Sequence, residues 1–280
     1  MKTFQFSVLV VGVAFASVCV PGARADDAPK AVLKELDLGQ KGLLFDQWFS
    51  RFGYRSGRTV SPERNGVKFQ IPPVKDAGMA GYYSSFELTG DFEVGVQFDI
   101  VAMPFPTTGY GASVGITVDS DGPAGSVALM RGASVEKSQT FIALRATPGA
   151  SSTDKTKYEA WTIPTTGNQG RLVIRREMGD VVCLAADKPA SELREVKRIP
   201  FTDKRIRYLK LHADCGGSPT GVTARLTNVR VRADEVVGGL SQTELDSGWS
   251  FSWAWVPVTI ACGVAAYWLR VKRRRAAAAE

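Results

Sequence analysis

The sequence predicts an all-β, antiparallel jelly-roll sandwich followed by one C-terminal transmembrane helix. Three observations predict this. Apolar and polar residues alternate with a period of two, repeatedly, over 43–235. Clusters of glycine, proline, serine and aspartate separate the alternating segments, and an uncharged run follows at 249–269. No repeat of about 20 to 50 residues interrupts the alternating region, so we expect a single domain at 44–235.

The clearest strand is predicted at 91–100. Its apolar positions are Phe92, Val94, Val96, Phe98 and Ile100, and its polar or small positions are Asp91, Glu93, Gly95, Gln97 and Asp99. Such alternation indicates a strand with one buried face and one wet face. Further strands are predicted at 66–71, 80–88, 110–118, 125–131, 139–146, 157–163, 170–176, 181–186, 205–213 and 222–232.

The connections between the predicted strands contain residues that favour turns. The segment 177–180, which reads Glu-Met-Gly-Asp, predicts a tight hairpin between two strands. Helix is expected to be scarce, with one or two turns at 31–38 and at 191–198.

The first 25 residues predict a secretory signal peptide. Lys2 is followed by an uncharged apolar run at 4–20, and 23–25 reads Ala-Arg-Ala, with small residues where signal peptidase requires them. The mature chain would then begin with an N-terminal segment at 26–43.

The run at 249–269 predicts a transmembrane helix. At about 1.5 Å per residue it is about 31 Å long, which matches a bilayer core of about 30 Å. The basic cluster at 270–275 predicts a cytoplasmic tail at 270–280 and an extracytoplasmic domain, joined to the membrane by a stalk at 236–248. A C-terminal sorting signal that is cleaved is the alternative to a retained anchor.

The net charge of +7 is concentrated at the two ends of the chain. Residues 1–25 carry +2 and residues 270–280 carry +4, so 26–269 is almost neutral. This distribution argues against a nucleic-acid partner for the domain.

Cysteine usage predicts one disulfide. Cys19 belongs to the signal peptide and Cys262 to the membrane run, which leaves Cys183 and Cys215 in an oxidising compartment. Two separately buried thiols are the alternative.

A family resemblance rests on five segments. These are the Gly90-Asp-Phe-Glu93 turn, the loop at 104–111, the segment at 128–132, the hairpin that begins at Gly170, and the closing strand at 222–233. Together they resemble a family of exported bacterial proteins known as a domain of unknown function, which is similar in turn to the concanavalin A-like lectin and glucanase jelly rolls. The resemblance spans about 44–234 and implies the fold much more than an activity.

Glycoside hydrolysis is the enzymatic alternative, with a divergent hydrolase or a lyase as the class. It requires two carboxylates, and Asp91 with Glu93 is the nearest candidate pair, about 6.6 Å apart along one face of the strand. Asp99 lies on the same face about 20 Å further on. The E-x-D-x-E motif of the jelly-roll glucanases is missing, and these acids equally suit the solvated face of a strand.

The sequence gives little support for a metal site or for a catalytic nucleophile. His212 is the sole histidine and no G-x-S-x-G accompanies it, so we interpret it as an ordinary strand residue. We expect no metal site. The segment 119–122, which reads Asp-Ser-Asp-Gly, suits a turn and offers only weak calcium binding.

A ligand-binding face is the favoured hypothesis. Sugars present an apolar face and a rim of hydroxyls, which aromatic and planar polar side chains recognise. The aromatic candidates are Tyr82, Tyr83, Tyr110, Tyr158 and Trp161, and the polar candidates are Glu93, Gln97, Asp99, Arg131 and Arg145. We predict a lectin-like domain that binds carbohydrate or a cell-surface ligand without catalysis and without a cofactor. A structural module of the envelope that binds only proteins is a further alternative.

Overall fold

The computed structural model of the chain describes residues 36–37, 48–63, 65–75, 77–120, 123–149 and 154–238. Within these residues it contains one short helix, α1 (Ser56–Thr59), and fifteen strands. The strands are β1 (Leu36–Asp37), β2 (Phe49–Gly53), β3 (Val60–Glu63), β4 (Gly66–Ile71), β5 (Ala80–Ser84), β6 (Phe86–Ala102), β7 (Ala112–Ser120), β8 (Ser126–Ala133), β9 (Gln139–Thr147), β10 (Lys157–Pro164), β11 (Gln169–Glu177), β12 (Asp180–Ala186), β13 (Arg194–Pro200), β14 (Ile206–Asp214) and β15 (Val222–Gly238).

The strands form two facing antiparallel layers. Sheet 1 has the order β2-β5-β14-β7-β8-β9-β10, and sheet 2 has the order β3-β4-β15-β6-β11-β12-β13, with β1 also paired to β15. The layers are continuous at one corner, where β14 pairs with β6 through Ile206 and Leu88. Across the sandwich, β8 contacts β11 and β12, β7 contacts β15, and β9 contacts β13. The predicted all-β antiparallel sandwich is confirmed.

The core lies between the two layers. On β6 the five apolar residues of the alternating segment are buried, while their neighbours are half-buried on the outer face. Aromatic rings join the layers, as where the ring centroids of Phe98 and Phe141 lie 6.0 Å apart. Burial of each such side chain contributes about 1.5–3 kcal/mol, and this explains why a period of two is so clear in the sequence.

The hairpin between β11 and β12 has the predicted tight turn. Glu177 pairs with Asp180, and the two residues between them, Met178 and Gly179, both have positive φ, 49° and 88°. Positive φ at both central positions is the signature of the type I′ turn that matches strand twist.

Three local predictions differ from the structure. The helix predicted at 191–198 is wrong, because β13 occupies Arg194–Pro200 as the edge strand of sheet 2. The strands β2 and β3 precede the first predicted strand. A helix was also predicted at 31–38. The structure describes only two of these residues, Leu36 and Asp37, and they form β1.

The predicted disulfide is also corrected. Cys183 and Cys215 are free, buried thiols. Cys183 lies on β12, which faces β8, whereas Cys215 directly follows β14, two strands away from β8 in sheet 1. Strands are about 4.8 Å apart, so the sideways offset alone is about 10 Å, beyond the roughly 7 Å between Cα atoms that a disulfide spans.

The predictions for the two ends fall mostly outside the described residues. The signal peptide at 1–25, the transmembrane helix at 249–269 and the tail at 270–280 all lie there. Within the described part of the chain, no helix combines the length and the apolar character that a membrane span needs. The strand β15 runs to Gly238, three residues into the predicted stalk.

Candidate functional site on the outer face of sheet 1

The centre of the outer face of sheet 1 consists mostly of small side chains. Strand register aligns the outward positions of neighbouring strands. At the centre of the face the small residues at these positions are Gly81, Ser113, Gly115, Thr117, Ala128 and Gly132, and Met130 lies among them, opposite Gly115. Neighbouring side chains lean over the glycines: a Cβ added at Gly115 would lie 2.7 Å from Cγ of Met130. The glycines and short side chains form the floor of this face, and larger side chains such as Met130 cover part of it.

His212 lies in this floor. Its cross-strand neighbours are Gly81 and Gly115, and its Nε2 atom lies 2.8 Å from Oγ1 of Thr117. The side chain is buried, and its Nδ1 atom has no hydrogen-bond partner among the described residues. Burial, with a smaller contribution from Lys210, lowers the pKa of His212 to about 4. The imidazole is thus neutral at pH 7 and retains one unsatisfied polar atom.

An ion pair lies next to the histidine on the same face of β14, because Lys210 is two residues before His212. Nζ of Lys210 is 2.7 Å from Oδ2 of Asp119, and both side chains are about one-third exposed. This pair presents a donor and an acceptor side by side at the surface of the floor.

Two tyrosines border the ion pair, since Tyr83 pairs with Lys210 and Tyr208 with Asp119, and Phe52 lies beside Tyr83. The ring centroids of Tyr83 and Tyr208 are 5.4 Å apart in an edge-to-face arrangement, and Phe52 lies 6.2 Å from Tyr83. The guanidinium of Arg207 lies 5.0 Å from the centroid of the Tyr208 ring and adds a cation at the rim. We define the sheet 1 site as Phe52, Tyr83, Thr117, Asp119, Tyr208, Lys210 and His212.

Tyr110 lies at the other end of β14, as a largely exposed side chain in the loop before β7. Its hydroxyl donates a hydrogen bond to Oδ2 of Asp214 at 3.3 Å, and Asp214 also accepts the backbone N–H of Gly216. Partial burial, followed by the charge of Asp214, raises the pKa of Tyr110, and Tyr158 contributes to the same shift. Tyr110 and Tyr158 therefore belong to the surroundings of this face.

Other predicted site residues lie on the opposite layer, on the outer face of sheet 2. The carboxylate of Glu93 forms an ion pair with Arg175 at 2.6 Å, and Oε1 of Gln97 accepts a hydrogen bond from Asn228 at 2.8 Å. The strand β6 carries both residues on its outer side. They are thus separated from the sheet 1 site by the core.

The two aspartates of the same strand are also engaged. Asp99 accepts hydrogen bonds from Gln169 at 3.2 Å and from Arg225 at 3.4 Å. Asp91 accepts the backbone N–H of Met178 at 3.0 Å, which fastens the hairpin turn to β6. The carboxylates predicted as a catalytic pair therefore stabilise the sheet.

Arg131, which was predicted to contact a ligand, lies in the interior of the domain. Arg131 points inward from β8 and is fully buried. It donates hydrogen bonds to the carbonyl oxygens of Gly167 and Gly132 and to Oε1 of Gln139. The guanidinium holds the loop between β10 and β11 and is closed to a ligand.

Arg145 and Trp161 also lie on the inward side of their strands. Arg145 shares a side of β9 with the buried Phe141 and Ala143, so the prediction that it faces away from the core is wrong. Trp161 packs against the core, with Nζ of Lys197 5.2 Å from its ring centroid. The sequence could not assign these sides, because β9 is apolar on both of its faces.

Among the described residues, the outer face of sheet 1 does not provide the carboxylate pair of a glycosidase. Asp119 lies opposite Tyr208, whereas Asp214 is six residues further along β14, about 20 Å away. Inverting enzymes require about 6.5–9.5 Å and retaining enzymes less. Among the described residues no group of three or more His, Cys, Asp or Glu side chains is arranged to hold a metal ion, and half of the predicted calcium turn, 121–122, lies outside them.

Comparison with known proteins identifies the fold. Residues 33–247 match the family model described as "Protein of unknown function (DUF1583) C domain". No curated protein matches the chain in sequence. A solved structure described with endo-acting O-glycanases of the human gut microbiota is 10% identical, covers 73% of this chain and 91% of its own, and has a TM-score of 0.50.

Two further solved structures are similar at lower scores. An alginate lyase from Klebsiella pneumoniae is 9% identical, covers 72% of this chain and 99% of its own, and has a TM-score of 0.46. The carbohydrate-binding module CBM66 from Bacillus subtilis is 14% identical, with coverages of 69% and 97% and a TM-score of 0.43. At such identities a likeness to a solved structure concerns the fold alone.

Proposed function

The chain belongs to the family of DUF1583 C domains, and we propose that its sheet 1 site binds carbohydrate without transforming it. The observation that carries this proposal is the juxtaposition of Tyr83 and Tyr208 with the Lys210–Asp119 pair on one outer face. An aromatic ring can pack against the apolar face of a pyranose, while the neighbouring ammonium and carboxylate bond its hydroxyls.

His212 and Thr117 add a polar contact in the floor of the site. A neutral imidazole nitrogen without a partner either donates to or accepts from a sugar hydroxyl, depending on its tautomer. A ligand hydroxyl at this point would satisfy a buried polar atom, which otherwise costs about 1–3 kcal/mol. His212 is only 1% exposed, so a sugar hydroxyl reaches its ring only when a covering side chain such as Met130 moves aside.

Binding is favoured over hydrolysis by the state of the carboxylates. Asp91 and Glu93 are engaged with Met178 and Arg175, and Asp119 and Asp214 of sheet 1 are too far apart to act together. The likeness to the structure described with O-glycanases supports a carbohydrate as the class of ligand.

We propose further that the domain is exported and held at the membrane by the run at 249–269, with residues 270–280 in the cytoplasm. The support is the sequence pattern of the two ends. Protease added to intact cells should remove the domain, and a domain protected in intact cells but cut after lysis would contradict this orientation.

A glycan array probed with the purified full-length chain tests the proposed binding. We expect retention on a restricted set of glycans that a Tyr208→Ala variant loses. Retention on no glycan, with the chain shown to be folded by circular dichroism, would overturn carbohydrate binding. It would favour a domain that binds other proteins of the envelope.

A further inference from the structure

A cavity lies at one end of sheet 2. It is open to the surface, has a volume of about 650 Å³, and is formed where β4 and β6 end and β15 begins, with α1 at its edge. It shares no residue with the sheet 1 site. A volume of this size accommodates a monosaccharide or a disaccharide.

The cavity is lined by two arginines and by no acidic residue among the described ones. These are Arg55, just before α1, and Arg58, within it. Neither guanidinium has an ion-pair partner in the described part of the chain, unlike the arginines of the neighbouring sheet surface, where Arg225 bonds Glu63 at 3.0 Å. The Arg55 guanidinium lies 5.4 Å from the centroid of the Tyr54 ring, a contact that leaves its charge in place. Two cations on one cavity with no acidic partner among the described residues attract an anion, and guanidinium groups bind carboxylate and sulfate oxygens in pairs.

Arg55 is held in a strained conformation. Its φ and ψ are 40° and 41°, in the left-handed region that non-glycine residues rarely adopt. The backbone N–H groups of Arg58 and Thr59 both bond the carbonyl oxygen of Arg55, and Oγ1 of Thr59 bonds the carbonyl oxygen of Tyr54 at 2.7 Å. Residues held in this conformation occur in turns and cluster at functional sites.

The remaining walls determine what kind of anion fits. Pro72, Pro73 and Pro104 provide apolar surface, while Gln70 and Thr223, cross-strand neighbours on β4 and β15, provide hydrogen-bonding groups. A bare inorganic ion would leave this apolar surface uncovered. A ligand with a ring-sized body fits both the walls and the arginines.

We propose that this cavity binds the carboxylate or sulfate group of a small organic anion, of the size of one or two sugar rings, through Arg55 and Arg58. The site is independent of the sheet 1 site and would exist whether or not that face binds neutral glycans.

Isothermal titration of the full-length chain with glucuronate, glucose 6-sulfate and glucose tests the proposal. We expect at least one of the two anions to bind, glucose to bind at least about tenfold more weakly, and affinity to fall as NaCl is raised. A preference for glucuronate would assign a carboxylate ligand, and a preference for glucose 6-sulfate would assign a sulfate ligand. Equal affinity for glucose, or no binding of either anion, would overturn the proposal.

Variants locate the binding. Arg55→Asn removes the guanidinium but tolerates the left-handed backbone, Arg58→Gln removes the second cation, and Ala102→Trp fills the cavity without a change of charge. Each should weaken anion binding about tenfold or more, whereas Lys155→Gln, an exposed charge before β10, should not. Unchanged affinity in all three variants would overturn the assignment. A Tyr208→Ala variant that still binds the anion separates this site from the sheet 1 site.

Discussion

The Nε2 atom of His212 lies 2.8 Å from Oγ1 of Thr117, while the Nδ1 atom of the same ring is buried without a partner among the described residues. Both residues point outward from sheet 1, away from the apolar core. The burial of this polar pair on an outer face is the feature that distinguishes the site from an ordinary sheet surface. Because the chain contains one histidine, a change of stability with a histidine pKa can be assigned to His212.

The stability of the domain should decrease as the pH is lowered from 6.5 towards 4. Burial lowers the pKa of His212 from 6.5 to about 4, so in this range the unfolded chain takes up a proton that the folded chain does not. The loss is roughly 3 kcal/mol in the free energy of unfolding. Urea unfolding at several pH values measures it, and His212→Gln should remove that part of the slope. An identical pH dependence in both proteins would contradict the assignment.

Replacement of either tyrosine of the sheet 1 site should weaken glycan binding. We expect Tyr83→Ala and Tyr208→Ala each to raise the Kd about tenfold, because each removes aromatic surface beside the polar groups. Glu93→Gln on sheet 2 is the matched control and should leave the Kd unchanged. If Glu93→Gln instead abolished release of reducing ends from a polysaccharide, the hydrolase alternative would replace the proposal.

Arg131→Met should be strongly destabilising, in contrast to a surface arginine. The substitution leaves the carbonyl oxygens of Gly167 and Gly132 without a donor, and we expect a loss of about 3 kcal/mol or more in the free energy of unfolding. Arg175→Met breaks a partly exposed ion pair with Glu93 and should cost less than about 1 kcal/mol. Chemical denaturation of both variants makes the comparison, and similar losses would show that Arg131 is not the buried support described above.

Cys183 and Cys215 should be unreactive in the folded domain. Burial raises the pKa of the Cys183 thiol to about 12 and that of Cys215 to about 11, so the reactive thiolate is scarce at pH 8. Alkylation followed by peptide mass spectrometry should find both unmodified in the native protein and modified in denaturant. A cross-linked peptide pair under non-reducing conditions would instead restore the disulfide expected from cysteine count.

Met178→Asn should stabilise the hairpin between β11 and β12. Met178 is 95% exposed and has a φ of 49°, a conformation that asparagine adopts more readily than methionine. We expect a gain of about 0.5–1 kcal/mol. Thermal unfolding measures the gain, with Met178→Leu as a control that should show none.

The sequence predicted the strands best where one face is apolar and the other polar. The alternation from Phe92 to Ile100 on β6 marks the buried side without ambiguity. On β9, by contrast, Ile142 and Leu144 are as apolar as Phe141 and Ala143, so alternation could not show that Arg145 lies on the core side. On β13, which is an edge strand, charged residues outnumber buried ones, and the pattern resembled a polar helix.

The sheet 1 site could not be predicted because it depends on register between distant strands. His212 acquires its character from Gly81 and Gly115, which lie on either side of it only after β5, β14 and β7 have paired. Nothing local in the sequence around His212 reports those neighbours. The sequence shows only that His212 lies on a strand between Lys210 and Asp214. This pattern is equally typical of an ordinary strand, so it does not indicate a site.

The pairing of β15 has a mechanical consequence. This 17-residue strand is hydrogen-bonded to β6 along almost its whole length and to β4 on its other side, and its last residue, Gly238, pairs with Phe86 at the beginning of β6. A pulling force applied to the chain beyond Gly238 along the strand loads these bonds in shear, all together, instead of breaking them one by one. The domain therefore resists unfolding by tension on its C-terminal end.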